Sequence, residues 1–412
     1  MKLTYLNSNK KNFINKLEII LNRRREQDSR KYLLVKKIIK DIKKNKDKAL
    51  IKYEKKFSNI NNIKNKNIKF SKFEIDNEIK KLDKNIKKSI DLAFLRIYKF
   101  HKKQKFNSYS LTDNYNNTLK YTSSPIERVG VYVPGGTASY PSSVLMNCIP
   151  AMIAGVKNIY MTTPTINKQY NAAVLYAAKK CKVKEIYKVG GAQAIAALAY
   201  GTSIIKKVNK IVGPGNTFVA TAKKEVFGDV GIDMIAGPSE VTVVADKYSN
   251  PEWVAADLIA QAEHDNFAQS ILISSNEKII SQVNFFINQQ LKNLPKKKIA
   301  EKSLKNFGLA IYVKNKKKLI ETINLIAPEH LEILIKKPNE IIKKITNAGS
   351  IFIGDYSPEA MGDYIAGTNH VLPTSGAAKF SSGLSVNDFL KRHSLIKITK
   401  SGIERLGTSV IN

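Results

Sequence analysis

The chain is poor in the residues that staple small secreted folds together and in the long apolar runs that cross membranes. Only two of its 412 residues are cysteine. Cys148 and Cys181 each fall in a helix-like apolar stretch, so there is no disulfide framework, and reduced thiols in a cytoplasmic setting follow. No apolar run approaches the roughly 20 residues of a membrane span. The start, Met1-Lys2-Leu3-Thr4-Tyr5, has no apolar secretory core. Acidic side chains are also short: Asp and Glu number 34 against 69 Lys and Arg, a net charge of +35. That excess invites a nucleic-acid reading. However, the lysines are spread among Asn and Ile over nearly every surface-like segment, with few interleaved aromatics. They thin out where the chain is Gly- and Ala-rich, from Gly130 to Gly155 and from Gly190 to Tyr200. A solvated basic surface with incidental attraction to polyanions fits better than a specific nucleic-acid partner. A phosphate loop ending in Gly-Lys-Ser/Thr is absent too. Gly213-Pro214-Gly215-Asn216-Thr217-Phe218 approaches the dinucleotide fingerprint, but Phe218 stands where its third glycine belongs and Pro214 lacks an N–H.

What is present is a globular composition, 43% hydrophobic and 8% aromatic, in a length that suits two or three domains. Residues 1–106 read as helical and very basic, with apolar stripes at Leu33 to Ile42, Ala49 to Tyr53 and Ile90 to Phe100. The style changes at Glu127. Strand 128–133 is followed by helix 141–155, strand 158–163, helix 167–181, strand 185–189, helix 191–200, strand 209–213 and helix 217–227. Residues 231–246 read as a strand pair around Ala236-Gly237-Pro238-Ser239. A second series follows: helix 251–264, strand 269–273, helix 276–290, strand 308–313, helix 315–326 and strand 350–353. Strands alternating with helices at this spacing predict parallel sheets covered on both faces. The fold class is therefore α/β, with two Rossmann-like parallel-sheet units. The boundaries are 1–126 for a basic helical region packing on the second unit, 127–240 and 241–375 for the two units, and 376–412 for a short tail. Ligands of such sheets bind beyond the carboxyl ends of strands. Three of those ends carry glycine: Pro134-Gly135-Gly136, Gly190-Gly191-Ala192-Gln193 and Gly213-Pro214-Gly215-Asn216.

Three segments carry groups suited to catalysis. Gln261 and His264 lie one turn apart on one helix face, where an amide oxygen and an imidazole can share a divalent cation such as zinc. Pro328-Glu329-His330 reads as a helix start, which would place both side chains in a first turn whose dipole keeps His330 neutral. The loop from Pro358 to Thr374 holds Glu359, Asp363 and His370 among Gly and Pro. Of five histidines in the chain, three, His264, His330 and His370, fall in these lysine-poor segments.

In order and spacing, Val131-Tyr132-Val133-Pro134-Gly135-Gly136, Gly190-Gly191-Ala192-Gln193-Ala194, Gly213-Pro214-Gly215-Asn216, Ala236-Gly237-Pro238-Ser239-Glu240, Gln261-Ala262-Glu263-His264, Pro328-Glu329-His330-Leu331 and Gly362-Asp363-Tyr364 resemble histidinol dehydrogenase. The likeness runs from about residue 30 to the end. It implies a homodimer that uses zinc and NAD to oxidise L-histidinol to L-histidine through the aldehyde. Carried over by motif, Gln261, His264 and Asp363 would be zinc ligands that also hold substrate, with Ser239 and His330 as further substrate contacts. Tyr132, Gln193 and Asn216 would contact NAD. His330 would be the general base, and Glu329 would activate the water that hydrates the aldehyde. The family continues into a segment whose final histidine is a fourth zinc ligand given to the neighbouring subunit. This sequence stops at Asn412, so three protein ligands and weaker zinc binding are expected. His393, in the basic run Lys391-Arg392-His393, reads as a solvated surface residue. Two other classes compete: a basic polyanion-binding protein that kept the fold without the chemistry, and a zinc hydrolase using the Glu-His pair.

Overall fold

The computed structural model describes residues 2–24, 29–58, 67–135, 141–165, 170–235 and 237–412. Gly136, Ala236 and the first residues of the expected 167–181 helix lie outside them. Among the described residues, fourteen strands form three sheets. The strands are β1 (Thr4–Asn7), β2 (Tyr109–Thr112), β3 (Thr118–Pro125), β4 (Arg128–Tyr132), β5 (Asn158–Thr162), β6 (Glu185–Tyr187) and β7 (Lys210–Val212). They continue with β8 (Gly231–Ile232), β9 (Glu240–Ala245), β10 (Gln269–Ser274), β11 (Leu309–Tyr312), β12 (His330–Leu334), β13 (Ser350–Ile353) and β14 (Leu390–Lys397).

The first parallel sheet has the order β6-β5-β4-β7-β8. Side chains alternate across it as the pleat requires. Val129 and Val131 of β4 enter a core built with the helices Lys84–Lys102, Pro141–Ala154 and Ala172–Lys180. Tyr132 faces the opposite core with the helices Ser29–Ser58, Gly191–Tyr200 and Thr217–Val226. The second parallel sheet runs β1-β11-β10-β9-β12-β13. Val241, Val243 and Ala245 of β9 face the helices Pro251–Ala262, Glu277–Gln290 and Lys297–Phe307. Val244 joins Ile271, Leu331 and Ile333 on the other face, against Phe13–Arg23 and Lys316–Ile326. The third sheet, β14-β3-β2, is antiparallel.

The structure departs from the sequence reading in four places. The residues of 231–246 do not pair: β8 closes the first sheet, and β9 lies inside the second. The N-terminal region is divided between the units. β1 and the helix Phe13–Arg23 serve the second, while the helices from Ser29 to Lys102 serve the first. A four-residue edge strand and an antiparallel ribbon carry too little periodicity to register as strands. Most important, Glu329 and His330 are not at a helix start. The helix Lys316–Ile326 ends at Ala327 in the left-handed region (φ 51°), and His330 opens β12. Proline also follows helix ends, because it cannot continue them, and that use prevails at Pro328.

Candidate active site and metal centre

The chemistry collects at the amino ends of strands β9 and β12, where the second unit meets the first. Glu240 is the first residue of β9 and His330 the first of β12, two directly paired strands. The helix Pro251–Ala262 runs back along the sheet, so its C-terminal end reaches the same edge. Gln261 is in its last turn. His264 follows the cap residue Glu263, and its backbone N–H donates to the Gln261 carbonyl at 3.2 Å. A helix C-terminus presents partial negative charge, which suits a cation. The loop after β13 brings Glu359 and Asp363. Asp363 lies in a five-residue π turn, Gly362–Ala366. Gly362 is required there because a Cβ would strike the Phe352 ring. Arg96 clamps the end of the turn, Nε donating to Ile365 O at 2.6 Å and Nη2 to Ala366 O at 3.2 Å. Asn369 anchors the loop to the first unit by donating to Met146 O at 2.8 Å.

His330 is the centre. Its Nδ1 lies 3.2 Å from the Glu240 carbonyl oxygen, which can only accept, so Nδ1 carries the proton in the neutral ring. Nε2 then offers its lone pair toward Asp363 Oδ1 at 3.3 Å, and neither atom has a hydrogen-bond partner. Two acceptors face each other with nothing between them, an arrangement stable only around a proton or a cation. Glu359 Oε1 is 3.6 Å and Glu329 Oε2 3.8 Å from Nδ1. Among the described residues, His330, Glu359 and Asp363 bring one ligand atom each within 4.8 Å of one another. With its amide nitrogen turned toward Glu359, Gln261 reaches Oε1 at 2.6 Å and Oε2 at 3.1 Å. His370 Nε2 is buried without a partner.

The electrostatics follow from crowding acids around one imidazole. Burial opposes the imidazolium, yet Glu359, Glu329 and Asp363 lift the His330 pKa well above its ordinary value. The expected helix dipole is absent, so the expectation of a histidine kept neutral by it is corrected. Burial pushes Glu329 up to about 8 and Glu359 up to about 7, with His330 opposing both. Asp363 goes the other way. Burial would raise it, but His330, His370 and His264 hold it below the usual aspartate range. His264 is lowered by its desolvated surroundings and partly restored by Asp363.

The remaining sequence-named residues are placed as follows. Ser239 lies just before β9, its carbonyl accepting from Gln269 N at 3.1 Å. Tyr132 and Gln193 are buried at the carboxyl edge of the first sheet. The Tyr132 hydroxyl accepts from Gly191 N at 3.1 Å, and the Gln193 amide donates to Glu54 at 2.7 Å. Asn216 caps the helix Thr217–Val226, accepting from Phe218 N and Val219 N. His393 is exposed on β14. A cavity of about 580 Å³ bordered by Asp233, Phe380, Ser385 and Arg392 contains none of these residues; charge, not volume, marks the site. The sequence reading named the loop holding Glu359 but gave that carboxylate no role, and it missed Glu54 and Glu332. Glu332 has a legible signal: an acid in the apolar run Leu331 to Ile335 must be paired when buried.

Behind the site, Glu332 Oε1 accepts from Glu359 N at 2.6 Å, and the Glu332 carboxyl interacts with that of Asp257, a pair of acids that needs a shared proton. Burial raises Asp257 to about 6, with Glu332 opposing. A folded-state pKa above the unfolded value, about 3.9, stabilises below pH 4, and that contribution is lost as pH rises through 6. Asp257→Asn is therefore expected to raise stability at pH 7.5 and to change little at pH 4. Denaturant midpoints at the two pH values check this; a variant destabilised at pH 7.5 contradicts it.

A buried imidazole ringed by carboxylates, at the seam of two parallel sheets, defines an α/β enzyme with a candidate metal centre. A sequence model of the histidinol dehydrogenase family matches residues 21–412. The chain is 58% identical to the histidinol dehydrogenase of Pelagibacter ubique over 407 residues, covering 98% of this chain and 94% of the relative. It is 46% identical to that of Brucella suis over 409 residues, covering 99% and 95%. The crystal structure of histidinol dehydrogenase from Elizabethkingia anophelis superposes with a TM-score of 0.92 at 40% identity, covering 99% of this chain and 93% of that one. The chain belongs to the histidinol dehydrogenase family and is an oxidoreductase of histidine biosynthesis. None of these relatives supports the polyanion-binding or hydrolase readings.

Proposed function

We propose that the chain oxidises L-histidinol to L-histidine in two successive hydride transfers at the His330 centre, with zinc and NAD as cofactors. The observation that carries this reading is the pair of unpartnered acceptors, His330 Nε2 and Asp363 Oδ1, 3.3 Å apart. Gln261, His264 and Asp363 would hold zinc, and together with Ser239 and His330 they would hold the substrate. The donor set fits: an imidazole, an ionised carboxylate and an amide oxygen are ordinary zinc or substrate ligands. For NAD, Tyr132, Gln193 and Asn216 stand at the carboxyl ends of the first sheet, where the Gly190 and Gly191 N–H groups are held by Glu54 and the Tyr132 hydroxyl, and these three side chains would contact the cofactor. When bound, zinc supplies a Lewis acid for the alcohol and NAD the hydride acceptor.

The chain's own residues handle protons. With a cation beside Asp363 offsetting the carboxylates that raise its pKa, His330 would present a free Nε2 to take the hydroxyl proton as hydride leaves the carbinol carbon, and the Nδ1–H bond to Glu240 O would hold the ring in that tautomer. An aldehyde cannot lose its remaining C–H as hydride to give an acid until water adds. Glu329 takes the proton of that water, and a carboxyl with a pKa near working pH is matched to the task. Its Oε2 accepts from Glu240 N at 2.9 Å, which fixes its direction.

Purified enzyme with zinc and NAD should yield two NADH per histidinol; a product stopping at one NADH defeats the two-step reading. Glu329→Gln should slow aldehyde oxidation at least tenfold more than alcohol oxidation, and equal losses refute its role. The same reading includes a cytoplasmic homodimer. Supporting it, Leu111, Ile396, Val410 and Ile411 stand 60–86% exposed on the antiparallel sheet and the helix Lys400–Ile411. Sedimentation of the same preparation should give twice the single-chain mass, and fractionation should leave activity in the cytoplasm; a monomer or a membrane-bound activity contradicts these parts.

A further inference from the structure

Arg24 belongs to none of the segments described above as catalytic. It caps the end of the helix Phe13–Arg23, every hydrogen-bond partner of its guanidinium lies more than 200 positions away, and its side chain is 1% exposed. Every N–H of its guanidinium is engaged. Nε donates to Phe267 O at 2.9 Å. Nη1 donates to Glu240 Oε2 at 2.6 Å and to Gln269 Oε1 at 2.9 Å. Nη2 donates to Pro238 O and to Ser239 O, the latter at 3.2 Å. Five donors in a rigid plane meet five acceptors from two segments, 238–240 and 267–269, a task for which a lysine ammonium has too few donors and no plane.

What Arg24 holds is the residue on which the catalytic pair hangs. Glu240 receives Arg24 on Oε2 and Ser375 N on Oε1 at 2.9 Å. With its carboxylate tied at both oxygens, Glu240 uses its main chain for the site. Its N–H donates to Glu329 Oε2 at 2.9 Å, and its carbonyl accepts from His330 Nδ1 at 3.2 Å. The adjoining Pro238-Ser239 carbonyls are held by the same guanidinium. One side chain thus sets the position of the Ser239-Glu240 backbone, and that backbone sets the direction of both proton-handling groups.

We infer that Arg24 is a positioning residue for the dehydrogenase reaction: through Glu240 it aligns Glu329 and His330 with the substrate. The inference rests on the proposed roles of that pair. Misplacement by about an ångström costs on the order of a hundredfold in rate, so the expected effect is kinetic. It should appear in proton-coupled turnover and not in NAD binding, which is assigned to the other sheet.

The test uses the full chain loaded with zinc and NAD. Arg24→Lys keeps the charge and loses the planar fork. It should keep NAD affinity within twofold, lower kcat by ten- to a hundredfold and move the kcat–pH profile by at least half a unit. Activities are to be normalised to the folded, zinc-bound fraction, so that loss of fold alone does not register. Arg24→Ala opens a cavity of guanidinium shape. Methylguanidinium at sub-denaturing concentration should recover kcat at least fivefold in that variant, and methylammonium should not. The inference is overturned if normalised kcat and the pH profile of Arg24→Lys match the parent. It is equally overturned if both additives restore Arg24→Ala alike. His330→Gln assayed in parallel separates the two levels. If that variant turns over normally, the site reading itself fails; if it is inactive while Arg24→Lys is normal, only the inference falls.

Discussion

Replacing His330 by glutamine is expected to slow both hydride transfers by about 10²–10⁴-fold, the range that a positioned general base contributes. Glutamine can still donate to the Glu240 carbonyl, so the strand start and the Glu329 contact should persist. What it lacks is a basic nitrogen facing Asp363 Oδ1. The loss should therefore fall on kcat for histidinol and for the aldehyde alike, with the NAD binding constant little changed. Single-turnover measurements with each substrate, on protein shown to be folded and zinc-loaded, decide the matter. Turnover within tenfold of the parent would remove His330 from its role as base.

The second large effect concerns the metal. Asp363 stays ionised at neutral pH because three imidazoles outweigh its burial, and it has one oxygen without a partner. Asp363→Asn keeps the shape and removes the charge. Zinc affinity is expected to fall by more than about a hundredfold, beyond the 10–100-fold cost of losing an outer-shell partner. Activity should fall with it. A chelator should strip the parent of both metal and activity, and stoichiometric zinc should restore the parent but not the variant. A parent that contains no zinc and ignores chelators would sink the metal assignment. So would an Asp363→Asn protein that binds zinc as tightly as the parent.

Both predictions concern residues visible in the chain before any coordinates, yet their geometry was not. His264, His330 and His370 stood out because histidine is rare here and all three fall in lysine-poor, Gly/Pro-bounded segments. The parallel sheets were legible for a similar reason. Runs such as Val129 to Val133 and Ile271 to Ile273 are apolar throughout, which only a strand covered on both faces needs. Pro328 misled because proline serves helix starts and helix exits equally well, and local sequence does not say which. Arg24 was invisible: the middle residue of the run Arg23-Arg24-Arg25 in a basic chain carries no mark that its guanidinium is buried.

Residue order along the chain was thus enough to establish the α/β class and the glycine turns at the strand ends, and to mark the segments proposed to carry chemistry. These depend on period, composition and steric allowance over a few neighbouring residues, and such effects are local. The tertiary structure alone decided that Glu240 and His330 open neighbouring strands at one edge of the second sheet, that Asp363 approaches His330 while Gln261 meets Glu359, and that Arg24 reaches Glu240. Those contacts join residues up to 216 positions apart. They exist because burying charge is tolerable only when every partner arrives together, a condition no short window of sequence can express.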